Sequence, residues 1–273
     1  MGWASGFFRA SFTMPMAYCW ITSNGRMMLS RRWIITTALV IVGSLVCVRL
    51  GIWQLDRLAQ RRAFNAHYLE TSTLPSLKIV SSPKDDLTGM EYRPVFVTGT
   101  YDFAHQVVLR NQVYNNQPGY HLLTPLILSD GTGILIERGW IPLDDNQQPA
   151  NWRTYDQPGT ITVNGILRLG QSEPEIGNVA DPVLAPGETH RDLWSLVNTT
   201  RIAQELPYRL LPVFVQPNPD TSLTKPPYPY QPSVAIDEGP HFGYVLTWFL
   251  FAALLFFGYP LFYLPRQLKS EEK

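Results

Sequence analysis

The sequence has very little cysteine, with only Cys19 near the N-terminus and Cys47 inside an apolar run. The middle of the chain, residues 56–240, has none. This absence excludes disulfide bonds, a cysteine-ligated metal and a thiol nucleophile from that segment. A segment of about 185 residues can bury a sizeable core without such crosslinks. We therefore expect a middle domain that is stabilised by packing alone.

Recognisable catalytic motifs are also missing. The sequence contains no Gly-x-Ser-x-Gly, no His-Glu-x-x-His, no phosphate-binding glycine loop and no dinucleotide fingerprint. Four histidines are scattered without the spacing of metal ligands, namely His67, His105, His121 and His190. His121 alternates with the residues of a predicted strand, which favours a hydrogen-bonded histidine within a sheet. The sequence therefore predicts a protein that is not an enzyme.

Charged side chains are absent from residues 242–264. At about 1.5 Å per residue, a helix of this length spans a ~30 Å hydrocarbon core. Rings of the kind that favour membrane interfaces lie near its two ends, at Tyr244, Trp248, Tyr259 and Tyr263. Basic residues follow the run, and none lies between residue 225 and its start. We predict a transmembrane helix at 241–264 and a cytoplasmic C-terminal tail at 265–273.

A first apolar run covers residues 33–48 and follows Arg31 and Arg32. No small-residue cleavage site ends it, so we predict an uncleaved transmembrane helix at 31–55. Arg49, Trp53 and Arg57 recur every fourth residue and line one stripe of this helix. The stripe has two interpretations: a membrane anchor whose arginines reach the headgroups, or a cationic surface that receives carboxylates from a ligand or partner.

The acidic and basic residues are distributed unevenly, although the formal net charge of the whole chain is zero. Residues 56–240 contain about 14 Lys and Arg against 20 Asp and Glu, whereas the tails are basic. This distribution predicts a cell (inner) membrane protein with both termini in the cytoplasm and an extracytoplasmic domain at 56–240. Nucleic acid is not an expected partner. Residues 1–30 are expected to be a cytoplasmic tail, with Met27 or Met28 as an alternative start of translation.

The extracytoplasmic domain has the period-two pattern of β-strands. Six runs rich in β-branched and aromatic residues predict strands at 92–101, 106–110, 120–128, 133–140, 160–169 and 209–216. Short spacings without long helices predict a mainly antiparallel sheet, in an α+β domain between two transmembrane helices. One short helix is predicted at 199–206, where Asn198 or Thr199 is the N-cap and Pro207 ends it. Residues 72–88 and the proline-rich 218–240 are predicted to be loop and connector.

His241 stands at the outer end of the second apolar run, on one helical face with Val245, Trp248 and Ala252. A neutral imidazole beside an apolar and aromatic surface is what a haem iron requires of an axial ligand. The alternative is an interfacial histidine that bonds a headgroup or a loop carbonyl. The spacing alone favours the second interpretation.

Five blocks follow one another along the chain: Leu50-Gly-Ile-Trp-Gln-Leu-Asp-Arg57, Tyr92-Arg-Pro-Val-Phe-Val-Thr-Gly-Thr-Tyr-Asp102, Gly119-Tyr-His-Leu-Leu-Thr-Pro-Leu126, Glu137-Arg-Gly-Trp-Ile-Pro142 and His241-Phe-Gly-Tyr-Val-Leu-Thr-Trp-Phe249. Together with the two flanking apolar runs, these blocks resemble the Surfeit-locus cytochrome c oxidase assembly family. The sequence departs from the family pattern at Glu137, where the family often has asparagine.

The resemblance implies an assembly factor that assists haem a insertion into the catalytic subunit of a haem–copper oxidase. It also implies that His241 ligates the iron of haem a. Trp248 and Tyr244 are then expected to cover the ring, and Arg49 or Arg57 to pair with the propionates. The expected partners are the oxidase catalytic subunit, haem a synthase and membrane lipid. Two other functions stay open: a chaperone of the oxidase subunit that binds no haem, and an anchored extracytoplasmic binding protein unrelated to oxidase.

Overall fold

The computed structural model describes residues 31–143, 149–174, 181–182, 184 and 187–263. The predicted tails, 1–30 and 265–273, lie outside these residues, as does residue 264. The chain divides into two compact units. Among the described residues, 31–55 and 242–263 form the helical unit, and those of Asp56–His241 form the barrel unit.

The labelled elements follow one another along the chain as α1 (Arg31–Ser72), β1 (Leu77–Ile79), β2 (Pro94–Tyr101), β3 (Val107–Tyr114), β4 (Gln117–Ile127), β5 (Gly133–Pro142), α2 (Pro149–Trp152), β6 (Thr160–Leu169), β7 (Leu193–Trp194), α3 (Thr199–Gln204), β8 (Leu210–Pro217) and α4 (His241–Ala253). Short 3₁₀ turns occupy Thr88–Met90, Phe103–His105 and Arg153–Tyr155, and a π-helical segment, Leu254–Tyr263, continues α4.

Helix α1 is longer than the predicted transmembrane segment, because the expected amphipathic continuation is part of the same 42-residue helix. No proline lies within Arg31–Ser72, and Pro75 follows shortly after the helix ends. Two helical segments, Ile34–Ser72 and His241–Leu261, are long and apolar enough to cross a membrane. This finding agrees with the two predicted transmembrane helices in position and composition.

The second apolar helix is regular through Ala253 and then widens into π-helical turns that contain Pro260. Proline has no amide hydrogen to donate, so it weakens the regular α-helical ladder at this point. Within the helical unit, Gly51 lies under the Phe249 ring, where an added Cβ atom would meet the ring at 3.0 Å. The hydroxyl groups of Thr37 and Tyr259 share a hydrogen bond of 2.9 Å.

The eight strands form one sheet that closes into a barrel. The order is β1-β2-β6-β8-β5-β4-β3-β7, and a further pairing of β2 with β4 closes a ring of five strands. The closing register places Thr100 opposite Ile127 and Tyr101 opposite Leu126. Most neighbouring pairs are antiparallel, which confirms that prediction, while β1–β2, β3–β7 and β5–β8 are parallel. The prediction of an uninterrupted loop at 72–88 is wrong, since β1 pairs there with β2.

Alternation along the strands separates two of the three buried hydrophobic clusters among the described residues. Ile134 and Ile136 of β5 pack in one cluster with Val97 and Leu126, whereas Leu135 packs in the other with Trp194. The second cluster also includes Ile202 of α3, so this short helix covers one face of the sheet. As predicted, Asn198 caps α3, and its side chain accepts a hydrogen bond from the Arg201 amide at 3.0 Å.

Gly99 allows the barrel to close. A Cβ atom added there would lie 2.3 Å from the carbonyl oxygen of Ile127, which is backbone and cannot rotate away. We expect Gly99→Ala to lower the free energy of unfolding by about 1–3 kcal/mol, because the β2–β4 contact must separate. Gly89→Ala is the matched control, since a Cβ atom there meets nothing within 4 Å. Denaturant unfolding followed by tryptophan fluorescence measures both, and equal stability of the two variants contradicts the prediction.

Candidate functional site

The segment that leads into His241 is held by helix α1. Arg61 donates hydrogen bonds from Nη2 to the Ala235 carbonyl at 2.5 Å and from Nε to the Asp237 carbonyl at 3.0 Å. Asn65 donates to the same Asp237 carbonyl at 2.9 Å. Arg62 binds Glu238 through two parallel hydrogen bonds of 2.8 and 2.9 Å. We call Arg61, Arg62 and Asn65, with the segment Ala235 to Glu238 that they bind, the connector clasp.

About half of each side chain in the Arg62–Glu238 pair is exposed to solvent, so the pair contributes direction rather than strong stabilisation. Its hydrogen bonds raise the pKa of Arg62 and lower the pKa of Glu238, so both groups stay charged over the physiological range. The geometry is bidentate, the arrangement that fixes an arginine and a carboxylate in one orientation. The clasp therefore holds the end of the connector against this part of α1.

The turn after the clasp places the His241 ring. Asp237 accepts a hydrogen bond from the Gly239 amide at 3.0 Å, and Gly239 has φ +64°. The His241 ring lies beside Gly239, where its Cδ2 and Nε2 atoms would be 3.4 and 3.6 Å from an added Cβ atom. His241 is the first residue of α4 and is partly exposed. An imidazole at such a position can reach a ligand outside the helix.

The other predicted site residues are divided between the two units. Arg57 belongs to the barrel unit with His241, is exposed, and donates a hydrogen bond to Gln60 at 2.8 Å. Arg49, Tyr244 and Trp248 belong to the helical unit. Arg49 is exposed, as is Tyr244.

Part of the predicted aromatic stripe on α4 packs inside the helical unit. Val245 and Ala252 are buried, and Trp248 is half-buried with its ring edge-on to Phe251 at 6.2 Å. Packing thus accounts for two of the stripe residues. About half of the surface of Tyr244 is exposed, and Trp248 is exposed in part.

A buried polar cluster crosses the barrel, which sequence reasoning missed. His121 Nδ1 lies 2.5 Å from Glu137 Oε1, and Gln216 donates to Glu137 Oε2 at 2.7 Å. Arg168 donates to the Gln216 side-chain oxygen at 2.9 Å and contacts Glu91 at 3.1 Å. A register shift between β4 and β5, next to Gly139 with φ +130°, lies beside the cluster. The prediction of a hydrogen-bonded sheet histidine at His121 is confirmed.

The polar cluster lines a cavity of about 190 Å³. His121, Glu137, Arg168 and Gln216 face it from four strands, and Tyr230 of the connector completes the lining. The Tyr230 ring centre lies 6.2 Å from that of His121. The signal of this cluster in the sequence is a polar residue within each of the four apolar strands. No spacing revealed that strand pairing brings these residues together.

A second polar cluster surrounds Asp102 at the end of β2. Its Oδ2 atom lies 2.6 Å from His105 Nδ1 and accepts a hydrogen bond from the Tyr208 hydroxyl at 2.7 Å. Burial by itself raises the pKa of Asp102, but the hydrogen bonds from Tyr208, His105 and the Ala104 amide outweigh it and hold the pKa below its ordinary value. Burial and the Asp102 carboxylate raise the pKa of Tyr208.

The lowered pKa of Asp102 predicts a loss of stability in acid. A carboxyl whose folded pKa is depressed stabilises the fold above its unfolded pKa of about 3.9, and this contribution disappears as the pH falls through the folded pKa. We therefore expect the unfolding midpoint of Asp102→Asn to depend less on pH below about pH 4 than that of the wild type. Asp85→Asn, at an exposed loop carboxylate, is the control. Identical pH slopes for wild type and Asp102→Asn contradict the prediction.

Among the residues that the structure describes, no three His, Cys, Asp or Glu side chains are grouped to hold a metal ion. The partly exposed imidazole of His241 is a nitrogen donor of the kind that would hold a haem iron.

Comparison with known proteins identifies a family that this chain matches. The model of the SURF1 family matches residues 41–253. A SURF1-like protein of Monosiga brevicollis is 26% identical over 221 residues, which are 75% of this chain and 78% of that protein. A SURF1-like protein of Rickettsia bellii is 25% identical over 231 residues, 83% of this chain and 90% of that protein. Surfeit locus protein 1 of Xenopus tropicalis is 22% identical over 216 residues, which are 73% of this chain and 66% of that protein.

Proposed function

The chain belongs to the SURF1 family, and we propose that it is a membrane-anchored assembly factor for a haem–copper cytochrome c oxidase. The observation that carries this proposal is the family match, which runs from the first apolar helix through the barrel to Ala253. It includes all five blocks whose sequences resemble the Surfeit-locus oxidase assembly family. The catalytic subunit of the oxidase is the proposed partner, with haem a synthase as the source of the haem.

The proposed location is the cell membrane, with both termini in the cytoplasm and the barrel unit outside it. Large apolar side chains on both long helices support this, because they are mostly exposed in the helical unit: Leu39, Val42, Leu246, Phe256 and Phe257 are examples. A surface of this kind is stable in contact with lipid rather than water. The acidic middle and basic tails support the proposed orientation.

The proposed cargo is haem a, and His241 is the proposed iron ligand. Haem a combines an apolar ring with two propionates, so its transfer through water is unfavourable. His241 supplies a nitrogen donor at a position fixed by the connector clasp and Gly239. Arg57 and Arg49 are proposed to pair with propionates, and Tyr244 and Trp248 to contact the ring. The role of the chain's own residues is to bind and orient the cargo.

Deleting the gene tests the assembly function. We expect membranes of the deletion strain to have reduced cytochrome c oxidase activity, restored by the wild-type gene. Absorbance of the purified wild-type protein separates two versions of the proposal: a haem a spectrum supports a carrier, and its absence supports a chaperone that binds no haem. Unchanged oxidase activity in a deletion strain without a second homologous gene contradicts both.

A further inference from the structure

The cavity in the barrel unit has the features of a binding site for a positively charged group. Glu137 lines it and is 5% exposed. Each of its carboxylate oxygens has one hydrogen bond, from His121 and from Gln216. A carboxylate offers about four lone-pair positions, so Glu137 can accept about two further hydrogen bonds. A buried carboxylate gains most from donors that carry charge.

The arginine at the cavity is directed at Glu91 and not at Glu137. Arg168 is the one Lys or Arg side chain among the described residues that line the cavity. Arg168 contacts Glu91 directly and reaches Glu137 only through Gln216. A buried charge is costly unless it is paired. A cation next to Glu137 therefore completes the cluster.

The size and the aromatic wall define the cation. The cavity measures about 190 Å³, below the range of about 300–1,000 Å³ for drug-sized ligands, so it excludes a porphyrin. It has room for a group of several heavy atoms. Tyr230 and Phe214 line it, and a cation within about 6 Å of an aromatic ring centre is attracted to the ring face.

We propose that this cavity binds a guanidinium or alkylammonium group between Glu137 and Tyr230. The group belongs either to a free small amine or to an arginine or lysine side chain of a partner polypeptide. The planar fork of a guanidinium matches the remaining acceptor positions of a carboxylate. The site is separate from His241 and does not rest on haem delivery, so either proposal can fail without the other.

Calorimetric titration of the full chain in detergent at pH 7 tests the proposal with three probes. They are methylguanidinium, capped Gly-Arg-Gly, and capped Gly-citrulline-Gly, the uncharged analogue of the arginine peptide. We expect both cations to bind and the citrulline peptide to bind at least tenfold more weakly than the arginine peptide. Tighter binding of the arginine peptide than of methylguanidinium identifies a polypeptide ligand, and the reverse identifies a free amine.

Substitutions at two lining positions, Glu137 and Tyr230, test whether the cations bind in this cavity. Glu137→Gln keeps the size of the side chain and one acceptor oxygen but removes its charge, and we expect at least tenfold weaker binding of the cations. Glu70→Gln, at an exposed carboxylate of α1, is the matched control and is expected to bind as the wild type does.

The second variant uses the partly exposed Tyr230, where substitution is compatible with folding. We expect Tyr230→Ala to weaken binding about two- to fivefold and Tyr230→Phe to preserve it. The proposal is overturned if neither cation binds the wild type, if citrulline binds as well as arginine, or if folded Glu137→Gln binds with unchanged affinity.

Discussion

Replacing His241 by alanine is expected to lower the affinity of the purified protein for haem a at least tenfold. Loss of residues that merely orient a metal ligand costs about 10–100-fold in affinity, so loss of the ligand itself costs no less. The connector clasp and Gly239 hold the backbone at this position independently of the imidazole. The substitution therefore removes the iron bond without removing the turn. Titration of haem a into the detergent-solubilised protein, followed by absorbance, measures the change.

Two comparisons separate ligation from a general loss of folding. His67→Ala, at a partly exposed histidine of α1, should bind haem a as the wild type does. His241→Gly should recover a wild-type-like spectrum when free imidazole is added, because the added ring can occupy the vacated ligand position. Unchanged haem affinity in folded His241→Ala shows that the ligand assignment is wrong.

Glu137→Ala is expected to lower the free energy of unfolding by about 2–6 kcal/mol, because a buried donor left without an acceptor costs about 1–3 kcal/mol and two donors lose theirs. His121 and Gln216 both donate to this carboxylate, and all three side chains are buried. Truncation leaves both donors without an acceptor and enlarges the cavity. Denaturant unfolding of the full chain, followed by tryptophan fluorescence, measures the loss.

The matched control is Glu137→Gln, which retains an acceptor oxygen and most of the volume. We expect it to lose less than half as much stability as Glu137→Ala. A loss below about 1 kcal/mol for Glu137→Ala indicates that the cluster contributes no more than an ordinary exposed contact.

The local sequence pattern predicted the long helices and most strands, because these elements depend on the polarity of residues that are close in the chain. The apolar run at 33–48 falls within α1, and residues 242–263 of the charge-free run fall within α4 and the π-helical segment that continues it. The predicted strand at 160–169 coincides with β6, and the other predicted strands overlap β2, β3, β4, β5 and β8. Burial of one side of a strand makes apolar and polar residues alternate in the sequence, which is why these strands could be predicted.

The pairing of strands that are distant in the chain could not be predicted from the sequence. Strand β1 has only three residues, too few to show a period, and β7 has two. Barrel closure depends on two residue pairs between β2 and β4, which no local pattern encodes. Glu137 was noticed only as a departure from the family pattern, because its partners His121 and Gln216 are 16 and 79 residues away.

The measurement that tests the central claim most directly is a reduced-minus-oxidised spectrum of membranes from a deletion strain, complemented with wild type or with His241→Ala. We predict that the haem a signal of the oxidase is diminished in the deletion strain, returns with the wild type, and fails to return with His241→Ala although the variant protein is present in the membrane. Equal recovery with both genes contradicts haem delivery through His241.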